Sequence, residues 1–426
     1  MTDRPEVEAA LVDAHRREWA FVVAATVRAV RDLDLAEECV QEAYAVALQS
    51  WTENGVPANP AAWLTTAAKR RGIDAIRRDQ TFRSKLPLLI EPEETVEDTA
   101  VDALSGGDGE DDQAPEVIVP DERLRLVFMC CHPALAEEAQ VALTLRLVCG
   151  VATPDIARVF LVPEPTMAAR ITRAKKKIVG SRIPYRVPRA AELPGRLQGV
   201  LGVIYLLFTT GHTAPSGDVL MRVDLVESAL RLTRMLRELM PDETEVRGLL
   251  ALLLVTDARR ATRVSGTGRL LRLADQDRSR WDQAAIAEAH DLMIGVLRGG
   301  QPGRYVLQAA IASLYAEAPS YDQIDWPQIV TLHDRLLEIW PSPVVALNRV
   351  VPLAEVVGPA AALAEVDTLA ASGQLDSYQY LPAVQADLLV RLGRPADAAT
   401  AYRRALDLTG NEAEREFLAQ RLASLE

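Results

Sequence analysis

Aromatic residues are scarce in this chain of 426 residues: Phe, Trp and Tyr together make up 5% of it. Strands draw on aromatic and β-branched side chains, whereas Ala, Leu and Arg, abundant here, favour helices, so the composition points to an all-α fold. The four cysteines, Cys39, Cys130, Cys131 and Cys149, form no disulfide framework, which fits a reducing cytoplasm. The N-terminus, MTDRPEVEAALVDAH, lacks a signal-peptide pattern. The longest apolar runs, around Leu197–Phe208 and Leu249–Val255, are too short to span a bilayer. There is no phosphate loop and no nucleophile elbow, so neither an enzyme nor a cofactor is expected. Cys130-Cys131-His132 invites a metal reading, but zinc sites combine two separated ligand pairs and Cys149 is the only other cysteine nearby. Buried apolar thiols are the simpler expectation. With 49% apolar and 25% charged residues, the chain is globular and long enough for several domains.

Charge of one sign is missing over long intervals. The net charge is −13, yet no acidic residue lies between Glu164 and Glu192, an interval that holds Arg170, Arg173, Lys175, Lys176, Lys177 and three further arginines. Conversely, residues 86–120 hold no lysine or arginine, many carboxylates and Gly106, Gly107 and Gly109. That stretch reads as an acidic, flexible linker, expected to be disordered when free. A local basic face steers toward nucleic acid whatever the total charge.

Val141–Ile178 reads as two helices joined by a short break. Thr153 can cap the first, with Pro154 at its first position. The break is Leu161-Val162-Pro163. In the second helix Met167, Ile171, Ala174 and Ile178 recur at helical spacing, while the other face carries Thr166, Arg170, Arg173 and Lys177. A helix-turn-helix presents such a face to the major groove; a helical hairpin with a solvated basic face is the plainer reading. Upstream, residues 5–50 read as two helices. The second is opened by Asp32-Leu33-Asp34 and carries Glu37, Glu38, Gln41 and Glu42 on one side, Val40, Tyr44, Ala47, Leu48 and Trp51 on the other. The acidic side suits either solvent or a basic partner. After a break at Thr52–Pro60 comes a third helix in which Trp63, Leu64, Ala67, Ile73 and Ile76 can pack inward. Lys69, Arg70, Arg71, Arg77 and Arg78 make a cationic flank suited to phosphates.

DLDLAEECVQEAYAVALQSW followed by PAAWLTTAAKRRGIDAIRR resembles the second conserved region of bacterial extracytoplasmic-function sigma factors, of the sigma-70 family. VPEPTMAARITRAKKKI resembles the promoter-reading end of their fourth region. The resemblance implies that core RNA polymerase docks on Asp34, Glu37, Glu38, Gln41 and Glu42. It implies that Thr52–Asn59, with Asn54 and Asn59, takes a flipped base of the promoter −10 element. Trp63, Lys69, Arg70, Arg71, Arg77 and Arg78 would hold the displaced strand. It implies −35 reading by Thr166, Ala169, Arg170, Arg173 and Lys177. Pro165 and Ala168 stand where such factors more often have glycine and a polar residue.

Members of that class usually end near Arg182. This chain continues through a rigid Ile183–Pro188 crossing into further helical segments: Leu193–Phe208, Val219–Met240, Glu243–Ala261, Trp281–Leu297, Tyr305–Ala316 and Trp326–Trp340. Leu392–Leu408 and Val357–Ala371 match the tetratricopeptide pattern, with Gly358 and Gly393 at equivalent positions. The whole chain resembles a subgroup of sigma factors with a long tetratricopeptide-like extension, supported by Arg123–Leu147, Asp257–Arg260, Asp275–Asp282 and Pro341–Arg349. Thr209-Thr210-Gly211-His212 replaces the subgroup's Asn-Glu-Gly-Tyr. The expected domains are 1–85 and 121–182 (the two sigma regions), the linker 86–120, a helical extension 183–285 and repeats 286–426. The extension is expected to regulate, and its groove suits a protein, a peptide or the chain's own sigma domains. Asp275–Asp282 reads as a helix-capping and inter-helix salt-bridge cluster. The competing function is a tetratricopeptide-type DNA-binding adaptor or one-component repressor, which would have no need of an acidic docking helix or a strand-opening helix.

Overall fold

The computed structural model describes residues 4–85, 122–160, 162–214, 217, 220–265, 269–297 and 302–425. The acidic linker lies outside these, as does Leu161. Among the described residues the regular elements are helices, with only isolated bridges and no strand. The chain forms two compact units, residues 1–200 and 201–426.

The first unit begins with α1 (Arg4–Val30), α2 (Leu33–Asn54) and α3 (Pro60–Lys85). The Asp32 side chain caps α2 by accepting from the Leu35 amide at 2.9 Å, and Gly55, at φ +87°, ends it. Asn59 caps α3 through the Ala62 amide at 3.0 Å. The inward residues are Trp19, Val22 and Val23 on α1, Ala36, Val40, Ala43 and Ala47 on α2, and Leu64 and Ala68 on α3, whereas Ile73, expected to pack inward, is 41% exposed. Trp51 and Trp63 meet edge to face at 5.7 Å. Gly72 lets α3 pass close to α1, because a Cβ there would collide with Val30 Cγ1.

The same unit holds α4 (Glu122–Cys130), α5 (Glu137–Leu143), α6 (Thr153–Val159) and α7 (Glu164–Gly180). A π-helical turn, Thr144–Val148, continues α5. Such turns are rare and insert one extra residue into the ladder. Helix α6 starts one residue earlier than the sequence suggests: the Ala152 carbonyl accepts from Asp155 and Ile156, so Thr153 lies in the first turn. In α7 Met167, Ile171, Ala174 and Ile178 are buried, as their spacing requires. These elements pack on α1. The Trp19 indole donates to the Leu147 carbonyl at 3.1 Å, the Tyr185 hydroxyl donates to the Ala24 carbonyl at 2.8 Å, and Arg28 pairs with Glu122 at 2.6 Å.

Helix α8 (Leu193–His212) contains the boundary between the units. The second unit continues through α9 (Val223–Leu239), α10 (Thr244–Ala258), α11 (Gln283–Leu297), α12 (Arg304–Glu317), α13 (Trp326–Ile339), α14 (Pro343–Val356), α15 (Pro359–Ala371), α16 (Tyr380–Arg391), α17 (Pro395–Leu408) and α18 (Glu412–Ala423). Helix α10 is buried almost all round, through Leu249, Leu250, Leu253 and Val255. Gly358 and Gly393 both have positive φ, +89° and +70°, before prolines that open α15 and α17. Ala398, Tyr402 and Ala405 of α17 are buried in a core shared with α14–α16 and α18. The Asn411 amide donates to the Ala214 carbonyl at 3.2 Å, tying the start of α18 to the segment after α8. In the Asp275–Asp282 stretch Asp277 caps a 3-10 turn, Arg272 pairs with Asp275 at 2.8 Å, and Arg278 lies 4.6 Å over the Trp281 ring. These contacts are structural.

Candidate nucleic-acid and polymerase interface

Helix α2 places the five acidic and amide residues on adjoining faces. Glu38, Gln41 and Glu42 are exposed. Glu42 pairs with Arg71 at 3.2 Å. Glu37 is buried at 7% exposure, and its neighbour Gln41 donates to it at 3.1 Å. Asp34 keeps an exposed side chain but accepts from Lys175.

Between α2 and α3 runs a groove of about 810 Å³. Trp63, Arg70, Arg71, Arg77 and Arg78 line it, with Glu42 and Asp74 as the only carboxylates. Five of the eight expected −10 residues therefore share one cationic surface with an aromatic ring in it, the combination that holds single strands by phosphate contact and stacking. Lys69 is half-buried on the same helix. Asn54 and Asn59 do not join this groove: the Asn54 amide donates to the Ser50 carbonyl at 3.1 Å, and the Asn59 side-chain oxygen caps α3.

On α7, Thr166, Ala169, Arg173 and Lys177 are exposed, on the side away from the buried stripe. Arg170 is half-buried and pairs with Glu138 of α5 at 2.9 Å. Arg173 donates to the Ala169 carbonyl within its own helix at 3.2 Å.

One α7 residue points the other way. Lys175 is 7% exposed, and its Nζ donates to Asp34 and to Glu37, both at 2.7 Å. Arg146, from the π-helical turn, pairs with the second oxygen of Glu37. Burial disfavours the Lys175 charge, but the two carboxylates outweigh it and raise its pKa above the ordinary lysine value. Neither Lys175 nor Arg146 emerged from the sequence as a partner of the acidic helix. The signal for Lys175 was its register: it stands one position after Ala174 and four after Ile171, so it falls at the edge of the apolar stripe, where a cation needs a carboxylate.

Cys130 and Cys131 are buried thiols with pKa values pushed up by burial, that of Cys131 to about 11. The His132 ring accepts from the Ala134 amide at 3.1 Å. In the second unit, Thr209, Thr210, His212, Tyr378, Tyr380 and Glu414 help line a cavity of about 510 Å³. The Tyr380 hydroxyl donates to Glu414 there at 2.6 Å. Burial, then the nearby Arg263, hold His212 neutral with a pKa of about 3. Among the described residues no helix is long and apolar enough to cross a membrane.

The family description "Sigma-70 region 2" matches residues 11–82, and "Sigma-70, region 4" matches residues 125–178. Residues 196–295 match a family of unknown function. An uncharacterized protein of Rhizobium meliloti (strain 1021) is 40% identical over 426 residues, which is 100% of this chain and 97% of that one. No solved structure matches the chain.

Proposed function

Since the chain belongs to the sigma-70 family and carries both its region 2 and its region 4, which gives it a role in transcription initiation, we propose that α2 is its polymerase-docking helix and that α3 and α7 meet the promoter. Docking uses Asp34, Glu37, Glu38, Gln41 and Glu42. The observation that carries the reading is the groove beside that acidic helix, where Trp63 and four arginines converge. A docking helix flanked by a strand-holding surface serves promoter opening; a DNA-binding adaptor or repressor needs neither. Thr166, Ala169, Arg170, Arg173 and Lys177 then meet the −35 element. The C-terminal helices, whose paired glycines and prolines support a tetratricopeptide-like reading, regulate the sigma regions.

Run-off transcription with purified core polymerase tests this, using the DNA upstream of the chain's own gene as template and comparing the full chain with a truncation after Arg182. Initiation by the full chain supports the reading. The truncation then assigns the sign of regulation: silence makes the extension an activator, and initiation makes it an inhibitor. If neither initiates while the full chain footprints the DNA without polymerase, the adaptor reading replaces this one.

A further inference from the structure

We propose that the cavity of the second unit is a binding site for a small protonated organic amine. The cavity measures about 510 Å³, within the range of small-molecule sites. Four aromatic residues line it, Tyr205, Phe208, Tyr378 and Tyr380, and Tyr378 meets Tyr380 edge to face at 5.2 Å. Among the described residues Glu414 is the one charged side chain in the lining. An ammonium placed there gains from the faces of the rings and from the carboxylate together. An anion would meet Glu414 instead.

Glu414 sets the charge of the ligand. It is 7% exposed, and a buried carboxylate ordinarily has a cationic partner. Its oxygens accept instead from two neutral donors, the Tyr380 hydroxyl and the Gln379 amide, each at 2.6 Å. A carboxylate offers about four acceptor positions, so roughly half of them stay open. The nearby Arg263 does not take them: it donates to the His212 carbonyl, and to Thr213 Oγ1 at 3.0 Å. His212, held neutral, adds no positive charge that would repel a cation. Thr210, Thr256 and Ser377 complete the lining and supply hydroxyls for further N–H groups of a ligand. The walls come from distant parts of the chain, residues 205–256 and 377–414. These are already tied by Asn411 to the Ala214 carbonyl and by the Glu412 amide to the Gly217 carbonyl at 3.1 Å. A ligand held between them stabilises the second unit by mass action.

The test uses the full chain and 2-phenylethylamine, whose ammonium and ring match the carboxylate and the aromatic wall. Beside it, 3-phenylpropionate carries an anion on a similar body. Titration calorimetry should give saturable binding of the amine, millimolar or tighter, and none of the carboxylate. Glu414→Gln keeps the shape of the side chain and should weaken the amine about tenfold or more, the loss expected when a charged hydrogen bond becomes a neutral one. Glu412→Gln, at an exposed neighbour on α18, should leave the amine's Kd unchanged. Since Glu414→Gln also touches Tyr380 and Gln379, Ser377→Trp supplies a second route. Ser377 is exposed at the wall of the cavity, and a bulky ring there should block the amine while the thermal melt stays that of the parent. The proposal is overturned if the amine does not saturate, if the carboxylate binds equally well, or if Glu412→Gln weakens the amine as much as Glu414→Gln does. It is overturned too if amine binding survives Glu414→Gln or, where that variant fails to fold, Ser377→Trp. None of these readouts depends on the assignment of α2, α3 or α7.

Discussion

Arg170 offers a prediction whose size follows from its present partner. The guanidinium is held by Glu138 at 2.9 Å, with side chains 33% and 70% exposed. An ion pair that open to solvent contributes about 0–1 kcal/mol. If Arg170 reads a base edge, it gives up this pair to do so. A bidentate arginine–guanine contact discriminates by about 1–3 kcal/mol, well above the pair it replaces. Arg170→Ala should therefore lower promoter-dependent transcription roughly 5- to 100-fold. Glu138→Ala, which frees the guanidinium without touching DNA, should raise promoter affinity by up to roughly fivefold, since 1.4 kcal/mol is a factor of ten. The assay is run-off transcription at fixed salt beside a core-binding measurement on the same variants. Opposite shifts with unchanged core affinity are expected. Parallel losses in both variants, or a fall in core binding with Arg170→Ala, would refute the reasoning.

Three further outcomes are expected. Gly72→Ala drives a Cβ into Val30 Cγ1 where α3 crosses α1, and should cost about 1–3 kcal/mol in chemical denaturation; a neutral substitution would show that the crossing relaxes freely. Arg77→Ala with Arg78→Ala should weaken promoter opening and its salt dependence while leaving duplex −35 binding intact, read by comparing fork and duplex templates. For His212 the folded pKa of about 3 lies below the ordinary value near 6.5. The unfolded chain then binds the proton more readily, so stability is complete above about pH 6.5 and is lost progressively as the pH falls toward 3. His212→Gln should flatten that part of a pH–stability curve, and a curve that keeps its slope would refute the assignment.

What the sequence revealed and what it hid divide along the range of the interactions. The α2 and α3 boundaries, the break between α6 and α7 and the inward stripe of α7 are local matters of spacing and capping, and Asp32, Asn59 and Pro163 mark them. The capping at Asp277 was likewise readable, but in place of the expected inter-helix salt bridges Arg272 pairs locally with Asp275 and Arg278 lies over the Trp281 ring. The cap of α6 was misplaced by one residue because a backbone carbonyl, at Ala152, took the role assigned to Thr153. Arg146 was invisible for a different reason: it lies on a π-helical turn, whose extra residue rotates the side chains beyond it out of the 3.6 register. The meeting of Lys175 with Glu37 spans 138 residues. No periodicity encodes which of two buried or exposed charges at that separation will meet.

Promoter melting tests the central claim most directly. Permanganate probing of the DNA upstream of the chain's own gene, with core polymerase and the full chain together, should reveal reactive thymines at a −10 element. They should be absent with either component alone and lost on Arg77→Ala with Arg78→Ala. Protection of duplex DNA by the chain without polymerase, with no reactive thymines when polymerase is added, would contradict the account.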